Sequence, residues 1–256
     1  MPDQLKTIAD FMRYSYTQLN HEPVFFGHGT DNSWDESVSL VLQLLNLPWD
    51  FDQKMWSCKL TEKEQKLILN ALDKRINQRI PLPYITQTAW FCSYPFFVDE
   101  RVLIPRSPIS ELIENSFSPW ANFIERPPLN ILDLCTGSGC IGIACALMYE
   151  NAEVDLLDIS QDALDVANIN ISKFNLSDRV AAIKSDGFDG FDETYSGKYD
   201  LIVSNPPYVD KSDFNSMPDE FKSEPKLGLV SGDDGLDLVR KILSQSAQYL
   251  TNDGLL

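Results

Sequence analysis

The fold class predicted by this sequence is α/β: a doubly wound parallel sheet with a small helical domain in front of it. Three observations predict it. From about Leu129 onward, short apolar segments of strand character alternate with amphipathic helical ones, as βαβ units require. A glycine-rich stretch, Gly137-Ser138-Gly139, falls between the first such strand and the helix after it. The first third, by contrast, carries only helical periodicity.

In that first third, Leu5, Ile8, Phe11 and Met12 share one helical face, as do Val38, Val41, Leu42 and Leu45. Ser33, with Glu36 three residues on, reads as a capping box. Thr61 with Glu64 repeats the pattern ahead of Leu67, Ile68 and Leu72. Pro81 and Pro83 are expected to end that last helix. Residues 1–83 are therefore assigned to a helical N-terminal domain. Residues 84–128 read as a hairpin and linker. Tyr84–Arg106 is rich in aromatic and β-branched residues with a turn at Ser93-Tyr94-Pro95, and a proline-bearing connection spans 118–128. Residues 129–256 form the α/β domain. Its expected strands are Asn130–Leu134, Val154–Asp158, Val180–Lys184 and Asp200–Ser204, and its expected helices Ala163–Phe174 and Leu236–Leu250. Asn252-Asp253-Gly254 reads as a turn entering one more strand, so the sheet is expected to be truncated at Leu256.

Composition narrows the function. No apolar run reaches the roughly 18 residues that span a bilayer, and the polar N-terminus is unlike a signal peptide. A soluble cytoplasmic protein with no membrane partner is expected. The five cysteines form no C-x-x-C pair, and with two histidines no zinc spacing arises. Reduced thiols and no metal are expected. The net charge of −17 repels phosphates and suits a basic partner, so no stable nucleic-acid binding is expected.

Two loops carry the chemistry. Asp133-Leu134-Cys135-Thr136-Gly137-Ser138-Gly139 follows the first strand, where ligands of such sheets bind. Glycine there lets the backbone approach a ligand closely. Asp158 ends the second strand, placed to accept from ribose hydroxyls. Gly137–Gly142 also fits the dinucleotide fingerprint G-x-G-x-x-G, so a nicotinamide cofactor competes. Three features favour S-adenosylmethionine instead. Asp133 precedes the glycines, suited to a methionine amino group; Ser185-Asp186 follows the third strand, suited to an adenine edge; and a nitrogen-binding loop ends the fourth. That loop is Asn205-Pro206-Pro207-Tyr208. Its prolines stiffen the chain and remove two N–H donors. The carbonyls of Asn205 and Pro206 and the Asn205 side-chain oxygen offer acceptors for a planar NH2 group, which needs two. They orient it and stabilise the positive charge that develops as a methyl arrives. Tyr208 offers an aromatic face to stack on the planar group.

Together these motifs resemble class I S-adenosylmethionine-dependent methyltransferases of the glutamine-methylating, HemK-like group, whose catalytic domain is Rossmann-like. That group usually has a glycine where Cys135 stands. Arg101–Arg106 also matches. Within the group, Gly27-His28-Gly29-Thr30-Asp31-Asn32, Trp34-Asp35-Glu36, Ala89-Trp90-Phe91-Cys92, Pro105–Ile109, Glu224–Leu229 and Ser231–Asp237 resemble the branch acting on ribosomal protein uL3. The resemblance implies that Cys135–Gly139 wrap the methionine part of the cofactor, with Asp158 at the ribose and Asp186 near adenine. It further implies that Asn205 and Pro206 hold a glutamine amide, while Arg106 either contacts the cofactor or braces the domain junction. His28 reads as structural or docking rather than catalytic. The release-factor branch, a DNA adenine methyltransferase, a nicotinamide oxidoreductase and a non-catalytic binding module are the alternatives.

Overall fold

The computed structural model describes residues 4–118, 120 and 126–256. Most of the connection expected at 118–128 lies outside them. The chain forms two compact units. One is Met1–Gln87 joined by Pro218–Ser223; the other is Thr88–Met217 with Glu224–Leu256.

In the helical unit, α1 (Ile8–His21) buries Ile8, Phe11, Met12 and Leu19, extending the face expected from its periodicity. It starts on an unexpected capping box: the Thr7 hydroxyl accepts from Asp10 N at 3.1 Å, and the Asp10 carboxylate accepts from Thr7 N at 2.9 Å. α2 (Ser33–Leu44) is capped one residue earlier than expected, by Asn32, whose side chain accepts from Asp35 N. Glu36 is not a cap partner. It is buried and accepts from Arg75 Nε and from the Thr30 hydroxyl, because a buried guanidinium needs a counter-ion. α3 (Glu62–Asn77) does begin on the Thr61–Glu64 box. It ends before the prolines, at a reversal where Arg79 takes a φ of 57°. Pro81 and Pro83 instead open the short helix α4 (Leu82–Thr86), whose first turn has no use for proline's missing N–H. The segment Pro218–Ser223 is anchored here. Glu220 accepts from Phe25 N at 2.9 Å and from Arg75 Nη1 at 3.1 Å. The Phe221 ring lies 5.4 Å from Phe25 and 4.6 Å from the buried His28.

The second unit opens with the hairpin β1 (Ala89–Phe91) and β2 (Tyr94–Phe96). Its turn is Cys92-Ser93, with φ of 47° and 62°, so Tyr94 and Pro95 belong to the strand rather than to the expected turn. α5 (Ile109–Glu114) follows. Then come β3 (Asn130–Leu134), α6 (Cys140–Met148), β4 (Glu153–Asp158), α7 (Gln161–Lys173), β5 (Val180–Lys184), β6 (Tyr199–Ser204), α8 (Lys211–Ser216), α9 (Asp237–Tyr249) and β7 (Leu250–Leu255). The sheet order is β5-β4-β3-β6-β7, parallel throughout. Alternation along β3 sends Ile131 into a core with Ile143, Leu156 and Ala167, and Leu132 into one with Ile202, Ile242 and Tyr249. Burial on both faces explains why these strands read as continuous apolar runs.

Candidate active site

Strand register builds the site. Ile183, Leu157, Leu134 and Ser204 form one row across β5, β4, β3 and β6. One residue further, Asp158, Cys135 and Asn205 leave the carboxyl edge on neighbouring strands, about 4.8 Å apart from strand to strand. The chain order reverses between β3 and β6, and such a switch point opens a crevice. Positions 135 and 205 therefore become neighbours.

The crevice is a cavity of about 480 Å³ lined by Cys135, Gly137, Asp158, Asp186, Asn205 and Pro207 from the expected set. Arg101, Leu103, Leu157, Ile159, Leu238 and Lys241 complete much of its wall. Gly137, at φ 56°, has nothing within 4 Å of where a Cβ would stand, so its backbone is open to a ligand. Its N–H donates to Asp158 Oδ2 at 2.9 Å, while Asp158 Oδ1 accepts from Ser160 N. Each of those carboxylate oxygens keeps a second lone pair for a hydroxyl. Burial raises the Asp158 carboxyl above the usual range.

The remaining expected residues lie off the cavity lining. Thr136, Ser138 and Gly139 shape the loop from behind: Thr136 N donates to Leu157 O, and Gly139 N to Thr136 O. Asp133 sits on the same face of β3 as Ile131, under α6, and is completely buried. Instead of facing a ligand's amino group, it accepts from the Thr136 hydroxyl at 2.6 Å and Gly142 N at 2.9 Å. Burial pushes its carboxyl up to about 7. Pro206 lines a separate apolar cavity with Leu201 and Val203. Tyr208 is 63% exposed.

Cys135 adopts a φ of 61°, the conformation that favours the glycine usual at this position. Burial, then the carboxylates of Asp158 and Asp133, push its thiol up to about 12. A thiol held so high stays protonated at neutral pH, so Cys135 is not a competing nucleophile at this cavity.

Three supports hold the site from behind. Asn170, fully buried in α7, donates to Ser138 O at 2.9 Å and Phe97 O at 3.0 Å, and accepts from Phe97 N at 2.7 Å. It ties the glycine loop to the chain leaving the hairpin. Arg106 makes a bidentate pair with the buried Glu224 at 2.5 and 2.6 Å and is not among the cavity-lining residues. The adjoining residues Pro225, Leu227 and Gly228 form a cavity wall. Gly235 backs Tyr208, for a Cβ there would lie 2.3 Å from the Tyr208 carbonyl oxygen. The Asn170 contact left no local signal beyond a polar residue within an apolar helix face.

A glycine loop and an Asn-Pro-Pro-Tyr loop side by side at the switch point of a parallel sheet define a class I methyltransferase. The family model described as "Methyltransferase small domain" matches residues 121–224. The ribosomal protein uL3 glutamine methyltransferase of Francisella tularensis is 52% identical over 254 residues, 99% of this chain and 80% of that one. Its counterpart from Neisseria gonorrhoeae is 45% identical over 253 residues, 99% of this chain and 83% of that one. The chain belongs to the family of ribosomal protein uL3 glutamine methyltransferases.

Proposed function

We propose that this chain transfers a methyl group from S-adenosylmethionine to the side-chain amide nitrogen of a glutamine in ribosomal protein uL3. The observation that carries the reading is the shared cavity: Asn205, an amide clamp, faces the same space as Cys135, Gly137 and Asp158. Family membership supports the target.

The donor set suits the cofactor. Asp158 would hold ribose hydroxyls, the open backbone at Gly137 would lie against the methionine part, and Leu103, Leu157 and Ile159 would flank the base beside Asp186. When bound, S-adenosylmethionine supplies a methyl on a sulfonium, a leaving group that needs no further activation. The protein's task is then to position the acceptor. An amide nitrogen is a poor nucleophile because its lone pair is delocalised. The Asn205 side-chain oxygen and the Pro206 carbonyl would each accept one N–H of the glutamine amide, fixing its plane and raising electron density on nitrogen. As the N–C bond forms, the same acceptors stabilise the charge on nitrogen until one N–H proton leaves to solvent. Pro207 stiffens the loop, and exposed Tyr208 would stack on the amide plane. Asp133, Thr136, Ser138 and Gly139 act by holding the loop in shape.

The helical unit would recognise the target protein in the cytoplasm. Charge adds a refinement. The helical unit holds 13 Asp and Glu against 10 Lys and Arg, whereas the catalytic unit holds 25 against 11. Steering of a basic substrate would thus act mainly on the catalytic unit.

Purified uL3, release factor and duplex DNA, each offered with radiolabelled S-adenosylmethionine, test the proposal. Label is expected on a glutamine of uL3. Label confined to release factor or to DNA would overturn the assignment.

A further inference from the structure

One cation at the cavity belongs to neither sequence motif. Lys241, on α9, donates from Nζ to the Asp186 backbone oxygen at 3.2 Å, to Asp186 Oδ1 at 3.1 Å and to Asp189 Oδ2 at 3.0 Å. Those three acceptors match the three N–H bonds of an ammonium. The lysine stem runs over Gly187, where a Cβ would come within 3.6 Å of Lys241 Cε. Both Lys241 and Asp186 line the cavity.

We propose that Lys241 is a positioning residue that fixes the Asp186 carboxylate as an acceptor for an exocyclic amino group, and so selects a 6-aminopurine over a 6-oxopurine cofactor. The inference rests on the S-adenosylmethionine reading above. Two carboxylates three residues apart on one turn repel each other, and without a cation between them each would turn towards solvent. Lys241 removes that repulsion and occupies Oδ1, which leaves Oδ2 for a ligand. A carboxylate oxygen so held accepts from an amino N–H of adenine but repels the carbonyl oxygen of hypoxanthine. The selectivity therefore combines attraction with a weaker rejection. Asp186 is more than half exposed, which keeps the effect modest because solvent screens it.

Calorimetric titration with S-adenosylhomocysteine and with its inosine analogue tests this. Lys241→Met is expected to weaken S-adenosylhomocysteine about 5-fold, the scale of one hydrogen bond, and to leave the inosine analogue within 2-fold (about 0.4 kcal/mol by RT ln 2). Lys241→Arg should restore most of the discrimination, and Asp186→Asn should lose it as Lys241→Met does. Equal weakening of both ligands, or no change in either, overturns the role of Lys241 while sparing the cofactor reading. A wild-type protein that binds neither ligand overturns the cofactor reading and this inference with it. Should Lys241→Met fail to fold, Asp186→Asn still decides: retained discrimination overturns the proposal.

Discussion

Replacing Arg106 by leucine separates the two roles its sequence context allowed. Glu224 has no solvent exposure, and both its oxygens accept from the Arg106 guanidinium, at 2.5 and 2.6 Å. Removing the Arg106 guanidinium takes a bidentate charged partner away from a buried carboxylate, at about 3–5 kcal/mol. The Ile104 N–H, at 3.3 Å from Glu224, is too long and too weak to replace a bidentate guanidinium. Removing both partners, in Arg106→Leu/Glu224→Leu, should return most of that loss, with a coupling energy of about 2 kcal/mol or more. Urea unfolding of both single variants and the double variant, followed by circular dichroism, measures it. S-adenosylhomocysteine affinity supplies the second reading. If Arg106 braces the wall at Pro225–Gly228, affinity falls in the single variant and recovers in the double. Arg106→Leu within about 1 kcal/mol of wild type would refute the brace. Affinity lost in both single and double variants would make Arg106 a cofactor contact.

Asn205→Ala is expected to lower kcat by about 100-fold or more while S-adenosylhomocysteine affinity stays within about 3-fold; a near-normal rate would refute the amide clamp. Asp133 has a folded-state carboxyl raised from 3.8 to about 7. Its neutral form is favoured in the fold, so its contribution to stability is full below about pH 4, declines as pH rises to about 7 and is flat above that. Asp133→Asn should therefore gain on wild type across that window, by at most roughly 4 kcal/mol, and a stability difference that does not change between pH 4 and pH 7 would refute it. Gly142→Ala would place a Cβ 2.2 Å from Leu156 Cδ2 in the core, costing about 1–3 kcal/mol by overpacking, read as a lower urea midpoint.

Locally determined features were legible in the sequence. Asn130–Leu134 and Val180–Lys184 are strands over the residues expected, because parallel strands buried on both faces read as bounded apolar runs. The Thr61–Glu64 cap was legible for the same local reason, whereas at Ser33 the competing Asn32 lay one residue upstream. Asp133 was read as part of a ligand-binding motif, although strand alternation alone puts it on the side of Ile131, away from the cavity. What stayed hidden is non-local. Asn170 meets Phe97 across 73 positions and Arg106 meets Glu224 across 118, and no spacing rule reaches that far.

The segment Pro218–Ser223 gives the helical unit a discontinuous sequence. A single cut after Gln87 would leave those six residues on the wrong fragment, with Glu220 parted from Arg75 and Phe221 from His28. The helical unit is thus not an exchangeable cassette at the front of the gene. Grafting another family member's N-terminal region onto this catalytic unit, to redirect it to a new target, calls for a second transplant some 130 residues downstream. A lineage changing its target by recombination would need three crossovers, one after Gln87 and one on each side of Pro218–Ser223, whereas one changing it by point mutation could proceed a residue at a time.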